Sequence, residues 1–424
     1  MNPKEAIKYL THESWRRRRP GLERIGELLQ HMGNPQHRLK FIHIAGTNGK
    51  GSIAAMLSSI MVQAGYVTGL YTSPYVRRFN ERIQVNGVPI PDNNLAEVTG
   101  HVKAFADIMA DHPTEFELIT AIAIAYFEQS GCDIVVFETG MGGRLDATNI
   151  IPVPEAAVIT SIGLDHVAQL GDTLEMIATE KGGIIKQGGD VVLYPQAPGV
   201  EGVIETICMD RKACLTRVCF DSLCLESSTL SGHIFSFQGL HGLRLPLLGI
   251  YQPGNAAAAL SALSVLRNKG WNISNDSIYK GLGNTQWPAR FELIGKEPYV
   301  VVDGGHNPQC VESVVASLQY YFPAKKVIFL AGVMAEKDYN AMFDIALPFA
   351  RMIITVTPNS PRALPASDLA RHLHEKGFAD AAPCNSIIEG VKLALSAAGG
   401  EDVICAFGSL YIVGEIRAFF GRYL

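Results

Sequence analysis

Residues 41–52 read FIHIAGTNGKGS. Four of the first five residues are apolar, which is typical of a short buried strand. A glycine-rich stretch follows, and from Ile53 to Gln63 apolar residues recur at helical spacing until Gly65 ends the pattern. A strand, a glycine loop and a helix in this order are the context that a phosphate-binding loop requires.

The glycine loop Gly46-Thr47-Asn48-Gly49-Lys50-Gly51-Ser52 has the composition of an ATP-phosphate site. Its glycines let backbone N–H groups face an anion, and the next helix adds the positive end of its dipole. We expect Lys50 to reach the β- and γ-phosphates and Ser52 to approach magnesium. Gly51 separates these two residues, so the loop departs from the pattern G-x-x-x-x-G-K-[ST]. The alternative is a tight turn with a surface lysine.

Length, composition and charge exclude several classes of protein. The chain has 424 residues, 47% of them hydrophobic and 18% charged, which predicts a globular protein of two or three domains. The net charge of −5 gives no basic field for nucleic acid. The basic run Arg16–Arg19 is either a solvated turn before Pro20 or a contact to an anionic substrate.

The cysteines and the apolar runs indicate a cytoplasmic enzyme. The eight cysteines include no Cys-x-x-Cys pair, and no histidine lies at zinc spacing from Cys214, Cys219 or Cys224. Unpaired cysteines in a chain of this length are typical of a reducing compartment. The N-terminus lacks the apolar stretch of a signal peptide. The run Leu245–Leu266 contains two prolines and reads as strand, loop and helix, so we expect no membrane segment.

Strand-like and helix-like segments alternate along the chain, which predicts a doubly wound sheet. The first series has strands at 41–45, 67–71, 134–137 and 157–162, with helices at 21–33, 114–129, 172–181 and 251–268. Short β-type runs between residues 190 and 250 predict a small, mostly antiparallel extension. A second series has strands at 299–302, 327–331, 352–356 and 403–407. Pro288 breaks any helix at 287–291, which predicts a hinge there.

Polar residues follow several predicted strands, where a parallel sheet gathers its functional groups. Glu138 suits a magnesium site beside a glycine loop, or is a solvent-facing glutamate. His166 is structural or functional, and Lys181 taken alone favours a helix cap. Asp303 and His306 either contact a nucleotide or form a simple turn.

The chain as a whole resembles the folylpolyglutamate synthase/dihydrofolate synthase family of the Mur ligase superfamily. Matching segments run through nearly the whole sequence in family order: 46–52, 72–74, 79–83, 138–149, 163–166, 180–186, 255–257, 288–292, 303–308, 361–363 and 408–409. The resemblance implies an α/β fold with a phosphate-loop central domain at 1–290 and a smaller Rossmann-like C-terminal domain at 291–424. ATP is then expected between the two domains.

The resemblance also implies roles for individual residues. Ser73, Glu138 and His166 would be ligands of magnesium, with two ions expected, and Lys181 would carry a carbamate. Asn255, Arg290 and Asp303 would contact the nucleotide. Lys50, Lys181 and His306 form the implied catalytic set. The implied pteroate segments are Arg19, Pro20 and Gly21, then Phe116, Glu117 and Leu118, then Leu145, Asp146 and Ala147.

The implied activity is ATP-dependent addition of L-glutamate to folates, and to dihydropteroate if the enzyme is bifunctional, by a monomer. A single-function folylpolyglutamate synthase is one alternative. A cell-wall ligase is disfavoured because the phosphate loop begins at residue 46, which leaves no room for a UDP-binding domain. An ATP-driven switch is another class. The sequence departs from the family pattern at Tyr75, where histidine is usual, and at Gly182, where alanine is usual.

Overall fold

The computed structural model describes residues 1–12, 14 and 19–421. Residues 16–18 of the predicted basic run lie outside this part of the chain. Two compact units are formed. The first comprises Met1–Cys224, Ser236–Leu243 and Gly254–Thr285, and the second comprises Leu225–Phe235, Arg244–Pro253 and Gln286–Leu424.

The first unit is built on an eight-stranded sheet. Its strands are β1 Phe41–Ala45, β2 Thr68–Tyr71, β3 Ile83–Val85, β4 Val88–Pro89, β5 Ile134–Glu138, β6 Ala156–Ile159, β7 Asp190–Leu193 and β8 Cys214–Arg217. The order is β4-β3-β2-β5-β1-β6-β7-β8. The six strands β2, β5, β1, β6, β7 and β8 pair in parallel in this order. Strands β3 and β4 form an antiparallel edge next to β2. Every residue of β1 and β5 is buried, as expected for strands covered on both faces.

Helices connect these strands and cover the sheet. They are α1 Pro3–Leu10, α2 Glu23–His31, α3 Lys50–Gln63, α4 Asp92–Ala106, α5 Glu115–Gln129, α6 Val167–Leu170, α7 Leu174–Gly182, α8 Pro198–Asp210, α9 Gln252–Asn268 and α10 Asn275–Gly283. Helix α3 is buried on nearly all sides, because α10 packs closely on it. A Cβ atom on Gly281 would lie 2.4 Å from the Cα atom of Ile60.

The prediction of an antiparallel extension over 190–250 is wrong for its first part. Strands β7 and β8 continue the parallel sheet, and α8 connects them. Helix α8 begins at Pro198 and buries only Val200, Ile204 and Cys208. So few buried apolar residues give only a weak helical periodicity, and for this reason the sequence did not predict the βαβ unit. Within this stretch the antiparallel part is limited to three strands, β9 Leu223–Thr229, β10 Gly232–Phe237 and β11 Leu240–Leu245. They form a sheet in the order β11-β10-β9, and two-residue turns connect successive strands.

The second unit contains a six-stranded sheet. Its strands are β12 Glu292–Lys296, β13 Tyr299–Val302, β14 Val327–Ala331, β15 Ala350–Thr355, β16 Ala381–Pro383 and β17 Val403–Phe407, and its helices are α11 Pro308–Tyr321, α12 Tyr339–Ala346, α13 Ala366–Glu375, α14 Ile387–Ala397 and α15 Leu410–Phe419. The order is β12-β13-β17-β14-β15-β16, with β12 antiparallel and the others parallel. The predicted α/β fold class is confirmed.

In the part of the chain that the structure describes, no helix is both long enough and apolar enough to cross a bilayer.

Candidate active site

The glycine loop follows β1 directly, as predicted, whereas α3 begins within it, at Lys50, and not at Ile53. Two of its glycines are required by close contacts. A Cβ atom on Gly46 would lie 1.7 Å from the Oγ1 atom of Thr160. Gly49 has a φ of 87°, and its Cβ would lie 2.8 Å from the Oδ1 atom of Asn255. The backbone can therefore turn tightly here, and Asn255 is brought against the loop.

Hydrogen bonds hold the loop to the segment that follows β6. The backbone N–H of Thr47 donates to the carbonyl of Ser161 at 2.8 Å. The Thr47 hydroxyl donates to the carbonyl of Gly163 and accepts from its N–H, both at 3.0 Å. His166 follows three residues later, immediately precedes α6 with a φ of 52°, and lies beside Asp165. The loop and the segment carrying His166 are thus one fixed assembly.

Lys50 is folded over the loop. Its Nζ atom donates to the carbonyls of Gly46 and Thr47 at 3.0 and 3.1 Å, and lies 4.0 Å from the Oε1 atom of Glu138. Because α3 begins at this residue, the ammonium group and the positive end of the helix dipole coincide. An anionic phosphate is the ligand that such a site favours.

Glu138 is the last residue of β5 and is only 5% exposed. Its Oε2 atom accepts a hydrogen bond of 3.2 Å from the backbone N–H of Ser73. The structure thereby brings Ser73, Glu138 and Lys50 together at neighbouring strand ends. No group of three or more His, Cys, Asp or Glu side chains among the described residues could hold a metal ion. A metal bound at Glu138 would therefore take most of its remaining ligands from hydroxyl, phosphate and water oxygens, as magnesium commonly does.

Lys181 lies at the end of α7 and is 4% exposed. Its Nζ atom donates a hydrogen bond of 2.7 Å to the carbonyl of Gly46. Burial, together with the charge of Lys50, lowers the pKa of Lys181 from 10.5 to about 7. The side chain is therefore directed inward to the phosphate loop, and it does not act as a surface cap.

The end of α7 is also packed against the post-β5 loop, residues 139–146. A Cβ atom on Gly143 would lie 2.7 Å from the carbonyl oxygen of Lys181, and one on Gly183 would lie 2.4 Å from the Cα atom of Arg144. A Cβ atom on Gly182 would lie 2.5 Å from the Cδ1 atom of Ile207 in α8. The departure from the family pattern at Gly182 is thus matched by a neighbouring side chain that occupies the space.

The predicted pteroate segments at 116–118 and 145–147 differ in their surroundings. Phe116 contacts the post-β5 loop, since a Cβ atom on Gly140 would lie 2.4 Å from the tip of its ring. Leu145 is 38% exposed, whereas Ala147 is buried and Leu118 is fully buried in the core. Phe116 therefore lies against the post-β5 loop at Gly140, and Leu118 lies in the core below it.

Asp146 is buried and held by several donors. Its Oδ2 atom accepts from the backbone N–H of Met141 at 2.8 Å. Its Oδ1 atom accepts from the hydroxyl of Thr148 at 2.6 Å and from its backbone N–H at 3.1 Å. Burial nevertheless raises the pKa of Asp146, because the desolvation of the carboxylate outweighs these donors.

Glu117 and the segment at Arg19 meet through Arg24, which the sequence analysis missed. The guanidinium group of Arg24 bonds both carboxylate oxygens of Glu117, at 3.0 and 3.1 Å, and also reaches the carbonyl of Arg19. The backbone N–H of Thr114 donates to Glu117 as well, at 2.7 Å. Arg19 itself bonds Asp111 at 3.0 Å. Pro20 and Gly21 link Arg19 to α2. The buried ion pair between Arg24 and Glu117 therefore holds this segment against α5.

Tyr75, the second departure from the family pattern, lies among aromatic and basic side chains. Its ring centroid is 6.0 Å from that of Phe79 and 5.3 Å from the guanidinium carbon of Arg82. A tyrosine ring attracts a guanidinium group through a cation–π interaction, and a histidine ring would do so less strongly.

In the second unit, Asp303 organises the residues predicted around the nucleotide. It follows β13, is 3% exposed, and accepts from the N–H groups of Phe291 at 2.7 Å and Gly305 at 2.6 Å. The hydroxyl of Tyr251 also donates to it, at 3.3 Å. Burial raises the pKa of Asp303, and the charge of Arg290 opposes this effect.

Arg290 and His306 flank the same turn. A Cβ atom on Gly304 would lie 2.4 Å from the Nη1 atom of Arg290, and His306 Nδ1 lies 3.0 Å from the carbonyl oxygen of Gly304. Arg290, Asp303 and His306 are therefore gathered at one turn of this unit. Tyr251 belongs to the same cluster, but no sequence pattern distinguishes it from other helix-flanking tyrosines.

Comparisons with known proteins agree with this arrangement. The Mur ligase middle domain matches residues 44–263, and the Mur ligase glutamate ligase domain matches residues 289–410. A Bacillus subtilis protein named dihydrofolate synthase/folylpolyglutamate synthase is 35% identical over 413 residues, which cover 94% of each chain.

Two solved structures are similar over nearly the whole chain. Folylpolyglutamate synthase of Mycobacterium tuberculosis, complexed with ADP and AMPPCP, has a TM-score of 0.91 and 28% identity, with 100% of both chains covered. The E. coli protein FolC in complex with DHPP and ADP has a TM-score of 0.88 and 29% identity, with 99% of this chain and 98% of that chain covered. The chain thus belongs to the folylpolyglutamate synthase/dihydrofolate synthase family of Mur ligases.

Proposed function

We propose that this protein is an ATP- and magnesium-dependent ligase that adds L-glutamate to folates and to dihydropteroate. The observation that carries the proposal is the convergence of Lys50, Glu138 and Lys181 on the loop that begins at Gly46. The relatives support the substrate classes, since one is named for both synthase activities and another was solved with DHPP and ADP.

Amide formation from a carboxylate and an amine needs activation, because a carboxylate is a poor electrophile. In the proposed reaction a carboxylate oxygen of the acceptor forms a bond to the γ-phosphorus of ATP. The bond from that phosphorus to the β,γ-bridging oxygen breaks, which releases ADP and leaves an acyl phosphate. The neutral amine of glutamate then attacks the acyl carbon, loses a proton, and expels phosphate. The protein contributes positioning and electrostatic stabilisation rather than a covalent intermediate of its own.

The proposed phosphate site is Gly46–Ser52, where Lys50 neutralises charge that develops on the phosphate oxygens. Ser73, Glu138 and His166 are the proposed magnesium ligands, for two ions. The fit rests on Glu138, a buried carboxylate that lies 4.0 Å from the Nζ atom of Lys50 and accepts a hydrogen bond from the backbone N–H of Ser73. Bound magnesium would supply further neutralisation of phosphate charge.

Lys181 is the proposed site of a carbamate. A neutral amine is the form that attacks carbon dioxide, and burial lowers the pKa of Lys181 to about 7, so this form is well populated at neutral pH. The nitrogen would form a bond to the carbon of carbon dioxide and release a proton. The resulting anion would lie near Lys50 and replace the repulsion between two ammonium groups with an attraction.

Asn255, Arg290 and His306 are proposed contacts to the nucleotide. Asp303 is proposed to act by holding the turn that carries Arg290, because its oxygens already accept three hydrogen bonds.

The proposed pteroate site consists of the segments at Arg19–Gly21, Phe116–Leu118 and Leu145–Ala147. Residues 1–290 and 291–424 are the proposed functional domains, one for ATP and pteroate and the other for nucleotide and glutamate. The free state of all eight cysteines is consistent with a cytoplasmic location, which we also propose.

The decisive experiment is a phosphate-release assay with ATP and L-glutamate, in which dihydropteroate and tetrahydrofolate are compared as acceptors. Release that requires both glutamate and an acceptor is expected with each of the two. Glutamate-dependent release with tetrahydrofolate but not with dihydropteroate would identify a single-function folylpolyglutamate synthase. Hydrolysis that is indifferent to both glutamate and acceptor would refute ligase activity and favour an ATP-driven switch.

A further inference from the structure

A chain of hydrogen bonds runs from the middle of the main sheet to the post-β5 loop. His43, in β1, is fully buried, and its Nε2 atom lies 2.9 Å from the hydroxyl of Thr148. The same hydroxyl donates to Asp146 at 2.6 Å. Thr148 is also fully buried, so water does not compete for either contact.

The single proton of the Thr148 hydroxyl gives the chain a direction. If this proton points to Asp146, the hydroxyl oxygen must accept from His43, which then carries its proton on Nε2. The reverse direction would require a protonated Asp146 and a proton on the Nδ1 atom of His43. Since Asp146 already accepts from two backbone N–H groups, the carboxylate form suits the first direction.

The other ring nitrogen of His43 supports the same assignment. Nδ1 is buried and has no hydrogen-bond partner among the described residues. An unpaired N–H is rarer in protein interiors than an unpaired acceptor, so Nδ1 is the deprotonated nitrogen. Burial, and secondarily the charge of Lys186, lowers the pKa of His43 to about 3, which keeps the ring neutral. A neutral ring with its proton on Nε2 satisfies all of these conditions.

We propose that His43 and Thr148 are positioning residues that hold the carboxylate of Asp146 in the orientation that shapes the post-β5 loop for a pterin-type ring. This inference rests on the proposed function, because it assumes that the post-β5 loop receives the pteroate. The loop contains Gly140, Gly142 and Gly143, which leave it few side-chain contacts of its own. Asp146 ties the loop through Met141, so the orientation of this carboxylate sets the shape of the loop.

Two pairs of variants test by kinetics this hydrogen-bond relay, which runs from His43 through Thr148 to Asp146. Thr148→Val and His43→Leu each break it, whereas Thr148→Ser and His43→Gln keep a hydroxyl and a donor at the Nε2 position. The breaking variants should raise KM for the pteroate acceptor by about tenfold, as expected for loss of a hydrogen bond to a charged group, with KM for ATP unchanged. The conservative variants should stay within about threefold of the parent, and the double variant Thr148→Val/His43→Leu should be no worse than either single variant.

The proton position is tested by ¹⁵N NMR of histidine-labelled protein without substrates. The His43 ring, assigned by its loss in His43→Gln, should show a protonated Nε2 and a deprotonated Nδ1. A proton on Nδ1 would overturn the proposed direction of the relay. If His43→Gln folds poorly, His43→Leu gives the same assignment, because it also removes the signals of the His43 ring.

Failure of the inference is distinct from failure of the proposed function. If the parent protein ligates glutamate but Thr148→Val leaves the acceptor KM unchanged, the positioning role is wrong and the ligase assignment stands. If the parent protein ligates glutamate to no pteroate or folate, the proposed function is wrong, and the inference, which rests on it, falls with it.

Discussion

The Nζ atom of Lys181 donates a hydrogen bond of 2.7 Å to the carbonyl oxygen of Gly46, the first residue of the phosphate loop. An ammonium group with such low exposure, close to the charge of Lys50, is costly unless it is neutralised or modified. This relationship links α7 to the loop that follows β1, and two predictions concern its electrostatics.

The first prediction concerns stability as a function of pH. The pKa of Lys181 is about 7 in the folded protein and returns to roughly 10.4 on unfolding. Between these values the unfolded chain binds a proton that the folded chain lacks, so the free energy of unfolding should rise with pH, by at most about 1.4 kcal/mol per unit. Below pH ~7 both states are protonated and the full cost is present.

Urea unfolding of the nucleotide-free protein in CO₂-free buffer measures this effect. The difference between the parent and Lys181→Met should grow in favour of the parent between about pH 7 and about pH 10. A difference that is constant over this window would show that Lys181 has an ordinary pKa.

The second prediction concerns the proposed carbamate. Lys181→Ala should lose glutamate-dependent phosphate release, and small carboxylic acids such as formate or acetate should restore part of it, because they can occupy the place of the carbamate anion. Small primary amines serve as the control and should restore nothing. Full activity of Lys181→Ala without any additive would contradict a functional role for this side chain.

The third prediction concerns Lys50. Lys50→Ala should reduce kcat by at least about 100-fold, because the cation that faces the phosphates is lost from a preorganised site. The melting temperature should change little, since the removed bonds are to loop carbonyls at the site itself. Lys392→Ala, at an exposed position of α14, is the matched control. Near-parent turnover in Lys50→Ala would refute the phosphate-loop assignment.

The fourth prediction concerns magnesium. Glu138→Gln preserves the shape of the side chain and an acceptor for Ser73 but removes the charge. The magnesium concentration for half-maximal activity should rise by about tenfold or more, which corresponds to about 1.4 kcal/mol of binding free energy. Glu97→Gln, at an exposed position of α4, should leave the magnesium titration unchanged. An unaltered titration in Glu138→Gln would remove this residue from the ligand set.

Much of the phosphate-loop half of the site is predictable from sequence, because it rests on local order along the chain. The strand before Gly46, the helix from Lys50 and the strand that ends at Glu138 each carry their own periodicity, and all three are present in the structure. Lys181 is different: a lysine at a helix end reads as a cap, and only the packing of α7 against the loop shows that it is buried.

The residues that sequence reasoning missed make contacts between distant segments. Arg24 bonds Glu117 across 93 positions, and His43 bonds Thr148 across 105 positions. A histidine within an apolar strand and an arginine next to an apolar helix stripe are visible as irregularities, but their partners are not. A local pattern can mark a buried polar residue, whereas the fold alone determines which group satisfies it.

The last prediction concerns Gly182, where the family pattern has alanine. A Cβ atom there would lie 2.5 Å from Ile207 Cδ1 and 3.2 Å from Ile204 Cδ1. Gly182→Ala should therefore raise the free energy of unfolding by less than the helix-propensity gain of about 1 kcal/mol, because the ends of both isoleucine side chains must move aside. Ile207→Val removes the nearer methyl group, so this substitution should cost less stability in the Gly182→Ala background than in the parent. Gly202→Ala in α8 is the control: nothing lies within 4 Å of its Cβ position, and it should be stabilising by about 0.5–1 kcal/mol. If Ile207→Val costs the same in both backgrounds, Ile207 does not fill the space left by the missing methyl group.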